Sequence, residues 1–248
     1  MSPRNSTPRF LIVGPLFLLL AALSLPVAAS EVSYEVGLRP RHVWRGITLR
    51  QFPVLSAAAT VNYRNGIGGQ VWIGVDLADD NGRSGEIQEI DLDLFYDRRV
   101  GLFDLRFGYV ELIFPGGIDN TGELYFKARA GNAWSAGVEA YYNVDLLEDL
   151  FVLVDLRREF RRGDLWGASV ATGLGWSGEE YARFFDGREA GFHHWSLTLD
   201  LDHRRDRTSW KLRLAYTDNL QSEVLPEQPI HLWGGLYLTY RPDFQGSS

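Results

Sequence analysis

Polar and apolar residues alternate along most of the chain, and residues 86–109 show the pattern in its clearest form. Successive side chains of a β-strand point to opposite faces, so Glu89, Asp91 and Asp93 share one face and the apolar residues between them share the other. After a short break at 98–101 the alternation resumes. The stretch therefore predicts a strand, a tight turn and a second strand.

The same reading along the whole chain predicts an all-β protein with about twelve strands. No helical period persists long enough to predict a helix, and the best candidate for one is the loop 179–185. The predicted strands span residues 32–44, 53–64, 69–78, 86–97, 102–114, 122–130, 134–145, 150–161, 165–177, 192–203, 208–217 and 230–241.

The connections between these strands differ in length by parity. Short connections follow the even-numbered strands, at 65–68, 98–101, 131–133, 162–164 and 204–207. Longer ones follow odd-numbered strands, at 79–85, 115–121, 178–191 and 218–229. Outer-membrane barrels have short periplasmic turns, long external loops and an even strand number. The parity therefore predicts a transmembrane antiparallel up-and-down barrel.

Aromatic residues on the apolar faces support this prediction, because membrane barrels carry aromatic girdles at both interfaces. One girdle is predicted beside the short turns and a sparser one at the opposite ends. Alternation alone would also fit a soluble sandwich or a lipocalin-like barrel, and loop parity and aromatic placement decide against both. The girdle residues are Tyr63, Tyr96, Phe103, Trp134, Phe160, Trp166, Trp210 and Tyr240, and then Tyr109, Trp176, Trp195 and Tyr216.

Two residues fit the barrel poorly. Pro40 falls inside the first predicted strand, where a bulge or kink is expected because proline cannot donate to the ladder. Arg158 has the parity of the lipid-facing side, which requires that it lie near the interface and snorkel.

The N-terminus predicts a signal peptide at residues 1–29, with an apolar run from Phe10 and small residues before a cut after Ala29. An uncleaved anchor is the alternative, but the run is short for a membrane span. Cleavage removes Arg4 and Arg9 and no acid, so the net charge falls from −7 to −9 for the mature barrel at 30–248. An acidic exported chain is a poor nucleic-acid binder, and the absence of cysteine excludes disulfides and thiolate chemistry.

The segment 41–56, Arg-His-Val-Trp-Arg-Gly-Ile-Thr-Leu-Arg-Gln-Phe-Pro-Val-Leu-Ser, carries an aromatic-Arg-Gly-Ile element before a proline that starts the next strand. With later pieces such as Gly68-Gly69, Glu89-Ile90-Asp91 and Glu123-Leu124-Tyr125, it resembles the TorF family of porin-like proteins. Thr48 stands where that family usually has Ser. The resemblance covers about residues 32–145 and implies an outer-membrane, porin-like barrel.

The last predicted strand resembles the C-terminal signal that the barrel-assembly machinery reads, with Gly235, Leu238 and Tyr240 in register. A tail, 241–248, follows the final aromatic residue. The partners expected from the sequence are this machinery during biogenesis, outer-membrane lipids and lipopolysaccharide, and small polar solutes or ions.

The polar faces supply the candidate pore-lining residues, in which both signs of charge are abundant. Charged rings in an aqueous pore bias which ions enter, and an acidic excess predicts a mild cation preference. The alternative is that these charges pair and plug a narrow barrel. The candidates are Asp76, Glu89, Asp91, Asp93, Asp104, Arg106, Glu123, Lys127, Arg129, Glu139, Asp155, Arg157, Asp200, Lys211 and Arg213.

Other chemistry has little support in the sequence. His194, Ser196 and Asp200 share one strand face, but without a motif they predict lumen lining rather than a catalytic site of a lipid-modifying enzyme. The neighbours His193 and His194 are expected to point to opposite faces, which spoils them as metal ligands. No metal or cofactor is therefore predicted. The sequence favours a passive channel for small polar solutes, with a closed barrel acting through its loops as the main alternative.

Overall fold

The computed structural model describes residues 29–78, 84–116 and 119–242. Twelve of its strands close into an antiparallel up-and-down barrel in which the first strand pairs with the last. This confirms the predicted fold class and strand number. The barrel strands are β1 (Ala29–Arg39), β4 (Val54–Tyr63), β5 (Ile67–Asp76), β6 (Ile87–Val100), β7 (Phe103–Ile113), β8 (Thr121–Gly131), β9 (Trp134–Asn143), β10 (Leu150–Arg162), β11 (Trp166–Ser177), β12 (Gly191–Arg205), β13 (Thr208–Asn219) and β14 (Leu232–Tyr240).

Three further elements lie in connections between barrel strands. β2 (His42–Trp44) and β3 (Ile47–Arg50) form a separate two-stranded sheet between β1 and β4. A short helix, α1 (Glu179–Phe184), follows β11 and lies in the loop 179–185, where the sequence offered a candidate but no helical period long enough to predict one. Among the described residues, no helix is long and apolar enough to cross a membrane.

The barrel has its apolar face outside. Along β6 and β7, for example, Leu94 is 64 % exposed and Phe107 is 49 % exposed, whereas the inward residue Phe95 is 3 % exposed. A belt of exposed aliphatic and aromatic side chains recurs on every barrel strand from β6 to β14. On β11 its members are Val170 and Trp166. This arrangement suits a barrel whose outer surface meets lipid.

The connections follow the predicted parity. Short turns join β4 to β5, β6 to β7, β8 to β9, β10 to β11 and β12 to β13, and we call this side of the barrel the turn end. The other side, which we call the loop end, carries longer connections at 40–53, 77–86, 114–120, 144–149, 178–190 and 220–231. The first and last residues of the barrel both lie at the turn end, as an even number of strands requires.

The first strand differs from its prediction, because β1 ends at Arg39 rather than near residue 44. The backbone bends at Pro40 and Arg41, so the proline lies beyond the ladder and not inside it. The kink expected at Pro40 is therefore present, but its predicted position inside the first strand is wrong. The alternation continued to residue 44 because β2 is itself a strand, although it belongs to a different sheet.

The outward position of Arg158 has a simple local explanation. Its guanidinium lies 5.1 Å from the ring centre of Trp134 and 5.4 Å from that of Phe160, both of the turn-end girdle. An arginine over aromatic faces keeps a favourable partner without leaving the outer surface. The remaining sequence prediction at the N-terminus, the signal peptide, lies outside the described residues apart from its last residue, Ala29, which begins β1.

Candidate pore interior

The fifteen predicted pore-lining residues all lie on the strand face opposite the exposed apolar belt, and so they point into the barrel. Their environments differ. Asp76, Glu89, Glu123 and Asp200 are buried, whereas Asp104 lies at the turn end with 63 % of its side chain exposed. Their role in permeation stays a prediction.

One wall of the interior, from β8 to β13, carries a network of ion pairs. Arg213 donates to both carboxylate oxygens of Asp200, at 2.8 and 2.9 Å, and Arg157 lies 3.6 Å from the same carboxylate. Nearer β8, Arg129 donates to Asp155 at 2.7 Å. These pairs join strands one or two steps apart and neutralise most of the charge along this wall. Two further lumen pairs are Lys127 with Glu139 and Arg106 with Asp97.

The β6 wall is different, because its row of carboxylates lacks cationic partners among the described residues. Within the described part of the chain, Glu89, Asp91 and Asp93 form no ion pair with a lysine or arginine. Asp93 accepts a hydrogen bond from the Tyr125 hydroxyl at 2.8 Å. The two sides of the interior therefore differ. In the residues that the structure describes, the carboxylates of this β6 row lack cationic partners, whereas those of the opposite wall are paired with arginine.

The connection after β1 does not extend outward but crosses the interior. We call residues 40–53 the lumen hairpin. Its tip is a two-residue turn at Arg45 and Gly46, both with positive φ (48° and 83°), between the paired residues Trp44 and Ile47. Such turns match the twist of a β-hairpin. A Cβ at Gly46 would lie 2.6 Å from Cγ of His194, so only glycine fits there without displacing the ring.

The tip reaches the opposite side of the barrel. Arg45 donates to both carboxylate oxygens of Glu123 on β8, at 2.9 and 2.6 Å. Its guanidinium also lies 3.9 Å from the ring centre of Tyr141 on β9 and 4.9 Å from that of Phe151 on β10. β9 and β10 are each five strand steps from the base of the hairpin, in opposite directions around the barrel. The hairpin therefore spans the full width of the interior.

Arg45 is buried in this position, with 9 % of its side chain exposed, and Glu123 is 3 % exposed. Burial alone would lower the pKa of Arg45, but the Glu123 carboxylate more than offsets it and the pKa is raised. The guanidinium therefore stays charged. A bidentate carboxylate and a ring of aromatic faces are the environment in which a buried arginine is best satisfied.

Apolar residues close the loop end around the hairpin. Ile47 of the hairpin, Phe151 of β10, Tyr181 of α1 and Leu225 of the last loop form a core in which none is more than 5 % exposed. Burial raises the pKa of the Tyr181 hydroxyl, which stays neutral. Such packing fills the loop end of the interior, as in a protein core.

The turn end holds a polar cavity of about 540 Å³. Glu35, Arg39, Trp72, Arg157 and Lys211 are among its lining residues. The Arg39 guanidinium lies 5.3 Å from the Trp72 ring and 5.5 Å from the Tyr237 ring, and it donates to the Tyr237 hydroxyl at 3.1 Å. In this conformation the interior is thus a vestibule at the turn end beneath a packed plug at the loop end.

The histidine pair on β12 differs from its prediction. A register shift between Gly175 and Trp176 of the neighbouring strand lets both His193 and His194 turn inward, with Nδ1 atoms 3.1 Å apart. The expectation that they point to opposite faces is therefore wrong. In the described residues, they belong to no group of three or more side chains that could hold a metal ion.

The β12 residues considered for catalysis do not assemble into a site. The His194 ring stacks on Phe151, with ring centres 6.1 Å apart, and its Nδ1 contacts His193. Both oxygens of Asp200 are taken by Arg213. These residues hold the plug and the wall in place, and Asp200, the carboxylate considered for this role, is not free to orient His194 toward Ser196.

Sequence reasoning missed the lumen hairpin, although the residues that form it carry the family resemblance. The aromatic-Arg-Gly-Ile element corresponds to Trp44, Arg45, Gly46 and Ile47, which make the tip. An Arg-Gly pair flanked by alternating residues is a hairpin signal that could have identified the turn. The direction of the hairpin could not be read from it.

Comparisons with solved structures give twelve-stranded channel barrels. The KdgM porin is similar over 87 % of this chain and 99 % of its own, with a TM-score of 0.53 and 8 % identity. The NanC porin is similar over 86 % of this chain and 100 % of its own, with a TM-score of 0.53 and 11 % identity. An outer membrane channel from Pseudomonas putida F1 is similar over 88 % of this chain and 97 % of its own, with a TM-score of 0.52 and 11 % identity. At these identities the similarity establishes the fold.

By sequence, the chain matches no family description and no curated protein. The TorF resemblance therefore stays a prediction.

Proposed function

We propose that this protein is a porin-type channel of the bacterial outer membrane, through which small polar solutes or ions diffuse. The observation that carries the proposal is the closed barrel with an apolar outer belt and a charged interior. A soluble protein does not bury its charges and expose its leucines in this way. The fold shared with the KdgM and NanC porins supports the same function.

In this proposal the turn end faces the periplasm and the loop end faces the cell exterior. The signal peptide at 1–29 directs export, and the final strand, with Leu238 and Tyr240, is read by the barrel-assembly machinery. The outer belt contacts membrane lipids, and the loop end lies near lipopolysaccharide. The vestibule is then open to the periplasm.

We further propose a mild cation preference. It is supported by Glu89, Asp91 and Asp93 on β6, which form no ion pairs with other described residues, whereas the cations of the opposite wall, Arg129, Arg157 and Arg213, are neutralised. Free charges on a pore wall set ion preference more strongly than paired ones. Reversal potentials under a salt gradient test this, and an anion preference would refute it.

The solute class is proposed only as small, polar and hydrophilic. A second structure of the KdgM porin was determined in complex with disordered oligogalacturonate, so that protein admits a charged sugar. Charged oligosaccharides therefore belong among the first solutes to be tested on this chain.

A closed barrel that acts through its loops is the second candidate, and the filled loop end favours it. Planar-bilayer recordings separate the two candidates. The natural protein should show rare conductance steps, and a variant with residues 42–50 replaced by a short Gly-Ser linker should show stable ones. If neither conducts while both show heat-modifiable gel mobility, the channel function is wrong and the closed barrel is favoured.

A further inference from the structure

We propose that the lumen hairpin is the gate of the channel, and that the pore opens when Arg45 leaves Glu123 and the hairpin swings out of the loop end. This inference rests on the proposed channel function. It assigns a moving part, the contact that holds it closed and the direction in which it moves.

The hairpin can move as a unit because it does not share the barrel's backbone ladder. β2 and β3 pair with each other in a sheet of their own, whereas β1 and β4 pair directly on either side of the hairpin's base. The barrel is therefore closed without the hairpin. Withdrawing it breaks side-chain contacts but leaves every barrel strand pair intact.

The contacts that hold the hairpin are concentrated at its tip. Arg45 bears the bidentate pair with Glu123, and Ile47 packs in the core. The arms are held by separate contacts, among them those of the His42 and Trp44 rings with Trp72 and Tyr181, at 6.0 and 6.4 Å between ring centres. The Thr48 amide donates to the Gln228 side chain at 2.9 Å, and Arg50 donates to Asp76 at 3.3 Å. The tip contact is thus the natural control point.

Buried polar atoms oppose the closed state. Nδ1 of His42 and Oγ1 of Thr48 in the hairpin, and Oδ1 of Asp76 on the wall, have no hydrogen-bond partner in the described part of the protein. A buried polar group without a partner costs free energy that hydration would restore. Withdrawal of the hairpin would hydrate all three, so closure depends on the Arg45 contact and the apolar core together.

A disulfide tether tests the gate directly, because the chain contains no cysteine. A Cβ at Gly46 would lie 2.9 Å from Cβ of His194, so the tip must move back by about 1 Å to reach the mean disulfide separation of about 3.8 Å. The double variant Gly46→Cys, His194→Cys should therefore form a bond that fixes the tip to β12. Gel mobility and thiol labelling follow its formation.

The tether is combined with a variant that releases the tip. Glu123→Gln alone should raise the open probability in planar bilayers at least about tenfold, since it leaves the Arg45 charge buried without a carboxylate. In the triple variant, oxidation should abolish this gain and dithiothreitol should restore it. Glu123→Gln combined with either single cysteine change is the matched control and should respond to neither reagent.

The outcomes separate the gate from the channel. If the tethered and oxidised protein conducts as well as the reduced one, the gate proposal is wrong and the channel function stands. If no variant conducts, including the one that lacks residues 42–50, the channel function itself is wrong and the gate falls with it.

Discussion

Glu123→Gln makes the sharpest test of how the loop end is held closed. The change removes one negative charge from a buried ion pair and leaves the hairpin sequence untouched. Removing one partner of a buried pair costs about 3 to 5 kcal/mol, because the remaining charge is uncompensated. The side chain of Arg45 is 9 % exposed, so water does little to screen this cost while the hairpin stays docked.

The cost falls on the docked state alone, because an undocked Arg45 is hydrated. At 1.4 kcal/mol per factor of ten, a loss of about 3 kcal/mol raises the undocked population about 100-fold. The contacts of Arg45 with the rings of Trp44, Tyr141 and Phe151 remain in the variant. We therefore take the lower end of the range.

Trypsin reports this population, because the hairpin contains Arg41, Arg45 and Arg50 and the variant retains all three. When opening and closing are fast relative to cleavage, the cleavage rate follows the open population. Cleavage in the hairpin should therefore be about 100-fold faster in Glu123→Gln than in the natural protein. Timed digestion in detergent followed by mass spectrometry measures it.

Asp155→Asn is the matched control. It breaks the lumen pair with Arg129 at 2.7 Å, and in the described part of the chain Asp155 forms no hydrogen bond or ion pair with the hairpin. Its hairpin should be cleaved at the natural rate. Equal cleavage rates in Glu123→Gln, Asp155→Asn and the natural protein, all with heat-modifiable mobility, would refute the reasoning.

Two further changes test other parts of the structure. Burial, with Arg39 and Arg50 nearby, lowers the pKa of His42 from 6.5 to about 3, so the docked hairpin loses stability as pH falls below 6.5. At pH 5 the loss is about 2 kcal/mol, so hairpin cleavage by a protease active at both pH values should be roughly 30-fold faster than at pH 7.5. His42→Phe should remove this contribution, and an unchanged rise in the variant would contradict the reasoning. Arg158→Ala should lower the free energy of unfolding of the barrel by about 1 kcal/mol, because the contacts of the guanidinium with the Trp134 and Phe160 rings are lost. Urea titration in vesicles measures this, and an unchanged free energy of unfolding would contradict it.

The barrel was predictable because its signals are local and repeated. Alternation at period two assigns each residue to a face, and the girdle residues, such as Trp134 and Phe160, mark the strand ends. These signals recur on twelve strands, so an error at one strand does not change the architecture. The inward faces of all fifteen candidate residues follow from the same periodicity.

The ion pairs could not be predicted, because they depend on register. Asp200 pairs with Arg213 on the adjacent strand and with Arg157 on a strand two steps away. Parity places these three side chains in the interior but does not say which of them face each other. For the same reason, the sequence could not predict the register shift between β11 and β12, which turns both His193 and His194 inward.

The lumen hairpin was missed for a different reason. Residues 42–50 alternate as a barrel strand does, and period two cannot distinguish a strand of the wall from a strand of an inserted hairpin. The decisive information is tertiary, namely the carboxylate of Glu123 and the aromatic faces of Tyr141 and Phe151, which lie some 80 to 100 residues away in the sequence.

The gate and the ion preference are linked through charge. When docked, the hairpin carries Arg45 and Arg50 into the interior, where they neutralise Glu123 and Asp76. Withdrawing it removes two positive charges and frees two carboxylates beside the β6 row. The open pore should therefore be more strongly cation-preferring than the vestibule alone would suggest.

Reversal potentials in a variant lacking residues 42–50 test this link. It should prefer potassium over chloride, and adding Glu123→Gln and Asp76→Asn to the same deletion should reduce that preference, because both freed carboxylates are then absent. The matched control adds Asp155→Asn and Asp104→Asn, which also removes two lumen carboxylates, but from positions outside the hairpin's contacts. If the control lowers the preference as much as the test variant, the selectivity follows total lumen charge and not the residues that the gate uncovers.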